Sequence, residues 1–196
     1  MDRRRVAFHE AGHLIMAFLL HMDVLSCDLG RRKEAPGELG RCVVITPDPV
    51  GIRRFLLAMG GVMAEERFFQ DEEGGLKDRH DALEALENYL AHYRRRDRDD
   101  IERIVALARD LFHSPASLLV IRRAALMLTQ KRSLDSLQMD HLRQELVAQI
   151  DTGPLIEALE GLTATEEPQG LKGLLLALLN GLKSLILRMR KPFDEP

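Results

Sequence analysis

Residues 9 to 20 place the strongest constraint on how this chain folds. His9-Glu10-Ala11-Gly12-His13 runs straight into Leu14-Ile15-Met16-Ala17-Phe18-Leu19-Leu20. That apolar run is too rich for an exposed helix. The segment is therefore predicted as a helix over residues 4 to 21, covered on most sides. A covered helix that carries two imidazoles and a carboxylate must supply them with partners, because a buried polar group without one is costly. Positions i and i+4 of a helix lie on one face, about one turn apart. His9 and His13 can thus share a single partner, and a metal ion satisfies both. Two histidines on the surface of an amphipathic helix are the plainer alternative, and the apolar run speaks against it.

The His-Glu-x-x-His spacing is that of zinc peptidases. Zinc held by His9 and His13 leaves room for a third protein ligand and a water. Glu10 points to the side of the ligand face, where it can act as a base rather than as a ligand. The third ligand has to come from elsewhere. One class of zinc peptidases continues the motif as His-x-x-Gly-x-x-His, but Met16 and Leu19 stand at those positions, so that class is excluded. Two sources stay open: Glu65 or Glu66 from a later helix, and Asp78 or Asp81 after a glycine-containing loop. Glu65 and Glu66 also suit the role of a partner to a zinc-bound histidine, and carboxylates of this kind are more often surface or packing groups. His80 adjoins Asp78, but a helix aims it elsewhere. His21 reads as a helix-end residue.

The rest of the chain reads as mainly helical with a small antiparallel β element. Val24 to Leu29 and Gly40 to Thr46 have strand character, joined by turn residues from Arg31 to Gly37 and closed by Pro47 and Pro49. A further edge partner would complete the pair. Ile52 to Phe69 reads as a second helix from the period of Phe55, Leu56, Met59, Val62 and Met63. Gly60-Gly61 in its middle would normally cost stability. Paired small residues there imply close packing against another helix, the motif helix being the natural partner. Gln70 to Gly75 is a loop. A third helix runs from Asp78 to about Arg96, with Leu83, Leu86, Leu90 and Tyr93 on one face. The charge run from Arg94 to Asp100 is a solvated surface or turn. Helices follow over Ile101 to Phe112, from Ser114-Pro115 to about Gln130, from Ser133 or Asp135 to about Ile150, and as a short piece to Glu160.

Composition narrows the function classes. The chain has 196 residues and a net charge of −3, which gives no bulk attraction to nucleic acid. Its two cysteines, Cys27 and Cys42, make neither a disulfide framework nor a Cys-x-x-Cys metal site. Reduced thiols in a cytoplasmic protein are the expectation. Arg3-Arg4-Arg5 before an apolar stretch has the outline of a signal peptide. His9, Glu10 and His13 inside that stretch argue against one. No uninterrupted run of 18 or more apolar residues occurs, so no transmembrane helix is predicted. Three segments are expected: a peptidase domain over 1–160, a linker over 161–170 and a basic, leucine-rich helix and tail over 171–196. The stretch from Leu171 to Lys191 suits contact with a membrane surface at its cytoplasmic face. It equally suits packing on the domain or in a homo-oligomer.

Several pieces together resemble the FtsH-type ATP-dependent zinc metalloproteases. Val6-Ala7-Phe8-His9-Glu10-Ala11-Gly12-His13 is similar to that family's Val-Ala-Tyr-His-Glu-Ala-Gly-His. Leu57 to Glu66 is similar to its Leu-Gly-Gly-Arg-Ala-Ala-Glu-Glu helix, and Gly74-Gly75-Leu76-Lys77-Asp78 to its Gly-Ala-x-x-Asp segment. The pieces run in order over about residues 4 to 90. The resemblance implies zinc ligands His9, His13 and Asp78, Glu10 as catalytic base, and a helical peptidase fold. The chain departs from the family at Val62, where arginine is usual, and at Glu73 and Gly75 in the loop. These changes bear on loop geometry and substrate fit. The sequence also holds no Gly-x4-Gly-Lys-Ser/Thr phosphate loop. The expectation is cleavage of flexible or unfolded protein or peptide substrates without ATP, an ATPase supplied in trans being the other arrangement. A silent, adaptor-like use of the same fold, tethered by the C-terminal helix, is the competing expectation. Intact His9, Glu10 and His13 argue against it.

Overall fold

The computed structural model describes residues 2–30, 40–45, 51–69, 76–92 and 98–162. Expectations for the turn from Arg31 to Gly37, for Pro47 and Pro49, for the loop from Gln70 to Gly75, for Tyr93 to Asp97, and for the linker and tail beyond residue 162 lie outside these residues.

The first helix, α1 (Arg3–Leu19), is the hub. Every residue from Arg5 to Leu20 is buried except His13, which is partly so. Its start is capped by Asp2, whose carboxylate accepts from the Arg4 backbone N–H at 3.2 Å, satisfying a donor that the first turn leaves free. The helix ends where His21 takes a left-handed backbone, φ 55°. The His21 and Met22 N–H groups then donate back to Phe18 and Ala17, and His21 is the helix-end residue its position implied. Its ring pairs with Thr152 Oγ1 at 2.7 Å.

Helix α2 (Ile52–Phe69) packs along α1 more extensively than any other element, and α5 (Pro115–Lys131) comes next. The α1–α2 contact is close because both helices present glycine. A Cβ on Gly12 would collide with the carbonyl of Gly60 and lie 2.7 Å from Ala64 Cβ; one on Gly60 would lie 2.7 Å from the Gly12 carbonyl oxygen. The paired glycines of α2 thus serve close approach to the motif helix. Phe8 seals the end of the contact against Phe68 and Phe69, at centroid distances of 4.5 and 5.4 Å.

Strands β1 (Asp23–Asp28) and β2 (Arg41–Ile45) pair antiparallel, with an irregularity between Val24 and Ser26. A third strand, β3 (Ser133–Leu134), pairs on the other side of β1, giving the order β2-β1-β3. The edge partner comes from a stretch whose sequence shows no strand run. Arg132, left-handed at φ 71°, ends α5. Its carbonyl accepts from the Leu29 N–H at 2.7 Å, and this contact feeds residues 133 and 134 onto β1. Ser133 therefore lies in a strand, and α6 (Ser136–Val147) is capped by Asp135 in a reciprocal box with Gln138.

Helix α3 (Leu76–His92) packs on α2 and begins two residues before the predicted start. Asp78 is therefore in its first turn. The buried face of α3 is made by Ala82, Ala85 and Leu86, so small residues let α3 approach; Leu83 is only partly buried. Helix α4 (Arg98–Phe112) begins three residues before the predicted Ile101, taking in the end of the charge run, where Asp99 and Asp100 are exposed. Ser114 caps α5 with Pro115 in its first turn. Helix α7 (Gly153–Glu160) rests on α4. The described chain is mainly helical with one small antiparallel sheet. Among the described residues no single helix is long and apolar enough to cross a membrane.

Candidate metal centre

His9 and His13, one turn apart on α1, face α2 and the first turn of α3. Their rings meet edge to face at a centroid distance of 4.6 Å. Each ring is oriented by its Nδ1. His13 Nδ1 lies 2.8 Å from the backbone carbonyl of Leu57. A carbonyl only accepts, so this nitrogen carries the hydrogen and Nε2 is left free to bind. His9 Nδ1 lies 2.6 Å from Glu65 Oε1. Burial pushes the Glu65 carboxyl up in pKa, but hydrogen bonds from His9 and Arg5 outweigh it and hold it below its usual value. Glu65 is thus an ionised acceptor, and His9 Nδ1 also donates. Both Nε2 atoms then point toward one region, 3.0 Å apart.

Asp78 completes that region. Its Oδ2 lies 2.9 Å from His9 Nε2 and its Oδ1 3.5 Å from His13 Nε2. Two donors about 2.0–2.1 Å from a tetrahedral zinc ion lie roughly 3.3 Å from each other, and the three separations bracket that length. Three acceptor atoms converging at this range attract positive charge. The chain itself meets part of that demand with a proton. Burial pushes His9 down, yet hydrogen bonds to Asp78 and Glu65 outweigh burial and push its pKa up to about 10. Burial likewise works to raise Asp78, but its bonds to His13 and His9 hold it well below the carboxylate range. His9, His13 and Asp78 are the cluster of metal-ligating side chains found among the described residues.

The open choices of third ligand separate in space. Glu65 is turned onto the far nitrogen of His9, and its other oxygen accepts from Arg5 Nε at 2.7 Å. Glu66 accepts from Arg79 at 3.0 Å and ties α2 to α3. Asp81 is partly buried and outside the cluster, and His80 is exposed.

Glu10 is buried beside the histidines. Burial raises its carboxyl pKa, while the charges of His13 and His9 pull the other way and lose. Its side chain is roofed by Gly40, just before β2: a Cβ there would come within 2.5 Å of Oε1 and 2.6 Å of Cγ. Gly61 does the same for the imidazoles. A Cβ on it would lie 2.6 Å from His13 Nε2 and 2.7 Å from His9 Nε2. Any side chain at 61 would occupy the place where the rings meet.

Sequence reasoning missed Arg5, Leu57 and the two roofing glycines as members of the site. Arg5 carried a usable signal. It stands four residues before His9, on the same face of α1, so a carboxylate serving one can serve both. Leu57 acts through its carbonyl, which no side-chain pattern reveals. No protein-family model matches the chain, and no curated protein matches it.

Proposed function

We propose that this chain is a zinc-dependent metalloendopeptidase that hydrolyses peptide bonds in flexible or unfolded proteins, similar in its site to the FtsH-type peptidases. One observation carries the reading: His9 Nε2 and His13 Nε2, 3.0 Å apart, meet the Asp78 carboxylate, whose Oδ2 lies 2.9 Å from the first and Oδ1 3.5 Å from the second, beside a buried carboxylate that lies outside the cluster. In this reading His9, His13 and Asp78 hold the ion. Bound zinc supplies a Lewis acid that acidifies water and polarises a carbonyl.

Glu10 takes the proton from the attacking water and returns it to the leaving amine nitrogen. A carboxylate raised by burial holds a proton more readily near neutral pH, as such a shuttle requires. Gly40 and Gly61 limit the room around Glu10 and the imidazoles. Glu65 fixes His9, and the Leu57 carbonyl fixes His13, so both rings are preset in the ligating tautomer.

The test is zinc content together with casein cleavage, without nucleotide, on the wild-type chain and on Glu10→Gln. The expected result is stoichiometric zinc in both proteins. Cleavage should occur in the wild type alone, stop with a chelator and return with zinc. The loss in Glu10→Gln should be about 10²-fold or more, the range of a general acid–base contribution. Full cleavage by Glu10→Gln would sink the mechanism. Stoichiometric zinc with no cleavage of any unfolded substrate would favour a binding module instead.

A further inference from the structure

Cys27 of β1 and Cys42 of β2 stand directly opposite one another. Both thiols are free; Cys27 is buried and Cys42 is partly exposed. Opposed residues on antiparallel strands hold their Cα atoms about 4.5–5.5 Å apart, inside the roughly 4.4–6.8 Å that a disulfide spans. Their side chains leave the sheet on the same face. The register here is regular, running Ser26↔Val43, Cys27↔Cys42 and Asp28↔Arg41. On its other side Cys27 is paired with Leu134 of β3, so the central strand is fixed from both edges.

We propose that Cys27 and Cys42 are a redox-modification site, forming a reversible cross-strand disulfide when the protein meets a peroxide or a small-molecule disulfide. Exposure orders the steps. The Cys42 sulfur attacks a peroxide oxygen, the O–O bond breaks, water leaves, and Cys42 becomes a sulfenic acid. The Cys27 sulfur then attacks the Cys42 sulfur. The S–S bond forms, the S–O bond breaks, and the hydroxyl leaves as water with the Cys27 proton. Two thiols lose two electrons in total, and one peroxide becomes two waters. Cys27 suits the second role because it is enclosed: its Sγ donates to the Glu10 backbone carbonyl at 3.8 Å. The neighbouring Cys42 thiol, together with burial, holds its thiol well above the ordinary range, and a thiol without thiolate character is a poor first target for oxidant. The bridge would lie two residues from Gly40, the roof of the Glu10 side chain.

The experiment treats the folded full-length chain with hydrogen peroxide and reads intact mass, native thiol alkylation and melting temperature. The chain has two cysteines, so an intramolecular bridge has one possible pairing. Expected is a monomer lighter by two hydrogens, with both thiols blocked and both restored by dithiothreitol. It should melt above the reduced form, because the bridge closes a loop in the unfolded chain. Cys27→Ser should leave a sulfenic acid on Cys42 that dimedone traps. Cys42→Ser should leave Cys27 unmodified in the folded protein. Four outcomes would overturn the proposal: a disulfide-linked dimer, a sulfinic Cys42 beside a free Cys27, two unreacted thiols, or a bridged monomer that melts below the reduced one.

Discussion

His9 divides its two ring nitrogens between two tasks: Nδ1 is tied to Glu65, and Nε2 meets Asp78 and His13. Glu65 in turn holds Arg5, so the face of α1 at residues 5 and 9 shares one carboxylate of α2. Partners of this kind set the tautomer and basicity of a metal-binding imidazole, and losing one costs 10–100-fold in metal affinity by order of magnitude. Glu65→Gln should therefore weaken zinc binding by roughly that factor, read by competition against a chromophoric chelator. An unchanged affinity would remove Glu65 from the positioning role. The same substitution breaks the Arg5–Glu65 ion pair. Removing one partner of a buried pair costs about 3–5 kcal/mol, so denaturation should be followed alongside. Adding Arg5→Met should recover stability and leave the affinity low, separating the two effects.

At the scale of elements, the α1–α2 contact depends on glycine. Gly60→Ala adds a methyl that meets the Gly12 carbonyl oxygen at 2.7 Å and Met16 Cβ at 2.8 Å. Alanine gains about 1 kcal/mol in helix propensity over glycine. Overpacking costs roughly 1–3 kcal/mol, and here the obstacles are backbone and a Cβ, which yield little. The overpacking should win, lowering the urea midpoint with an unchanged slope. A midpoint equal to or above wild type would show that the helices can part without cost. Gly61→Ala strikes the imidazoles instead, and should lose zinc at a smaller cost in stability. Much of this contact was legible in the sequence, since a glycine pair inside a strongly apolar helix has few uses other than close approach. The short strand β3 was not. Its two residues pair with β1 because Arg132 turns and Leu29 captures its carbonyl, a contact between segments about a hundred residues apart.

Across the whole molecule, ionisable groups from separate elements meet in ways that make stability depend on pH. His113, between α4 and α5, is pushed down in pKa by burial and by the charges of Arg67 on α2 and Arg109 on α4, with Asp110 opposing them. A histidine whose folded pKa is depressed contributes stability that is present above its unfolded value, about 6.5. That contribution is lost as pH falls through the folded value. His113→Gln should thus flatten the decline of the melting temperature as pH falls below about 6.5. Parallel curves for variant and wild type at every pH would show that His113 contributes nothing to the acid loss.

The sequence by itself determined the helical character of the chain, the buried motif helix, the antiparallel pair and the lining-up of His9 with His13. These follow from local periodicity and from the one-turn spacing of a helix, which act over a few residues. It could not choose among Glu65, Glu66, Asp78 and Asp81 by spacing alone, because each sits on a helix, α2 or α3, whose direction is set by packing. Tertiary structure separates them in space. Close glycine contact brings α2 against α1 and turns Glu65 onto the far side of His9. Small residues on α3 bring its first turn, and with it Asp78, to the near side. The same packing set Cys42 opposite Cys27 and Gly40 over Glu10, since β-sheet register joins residues that sequence separation keeps apart.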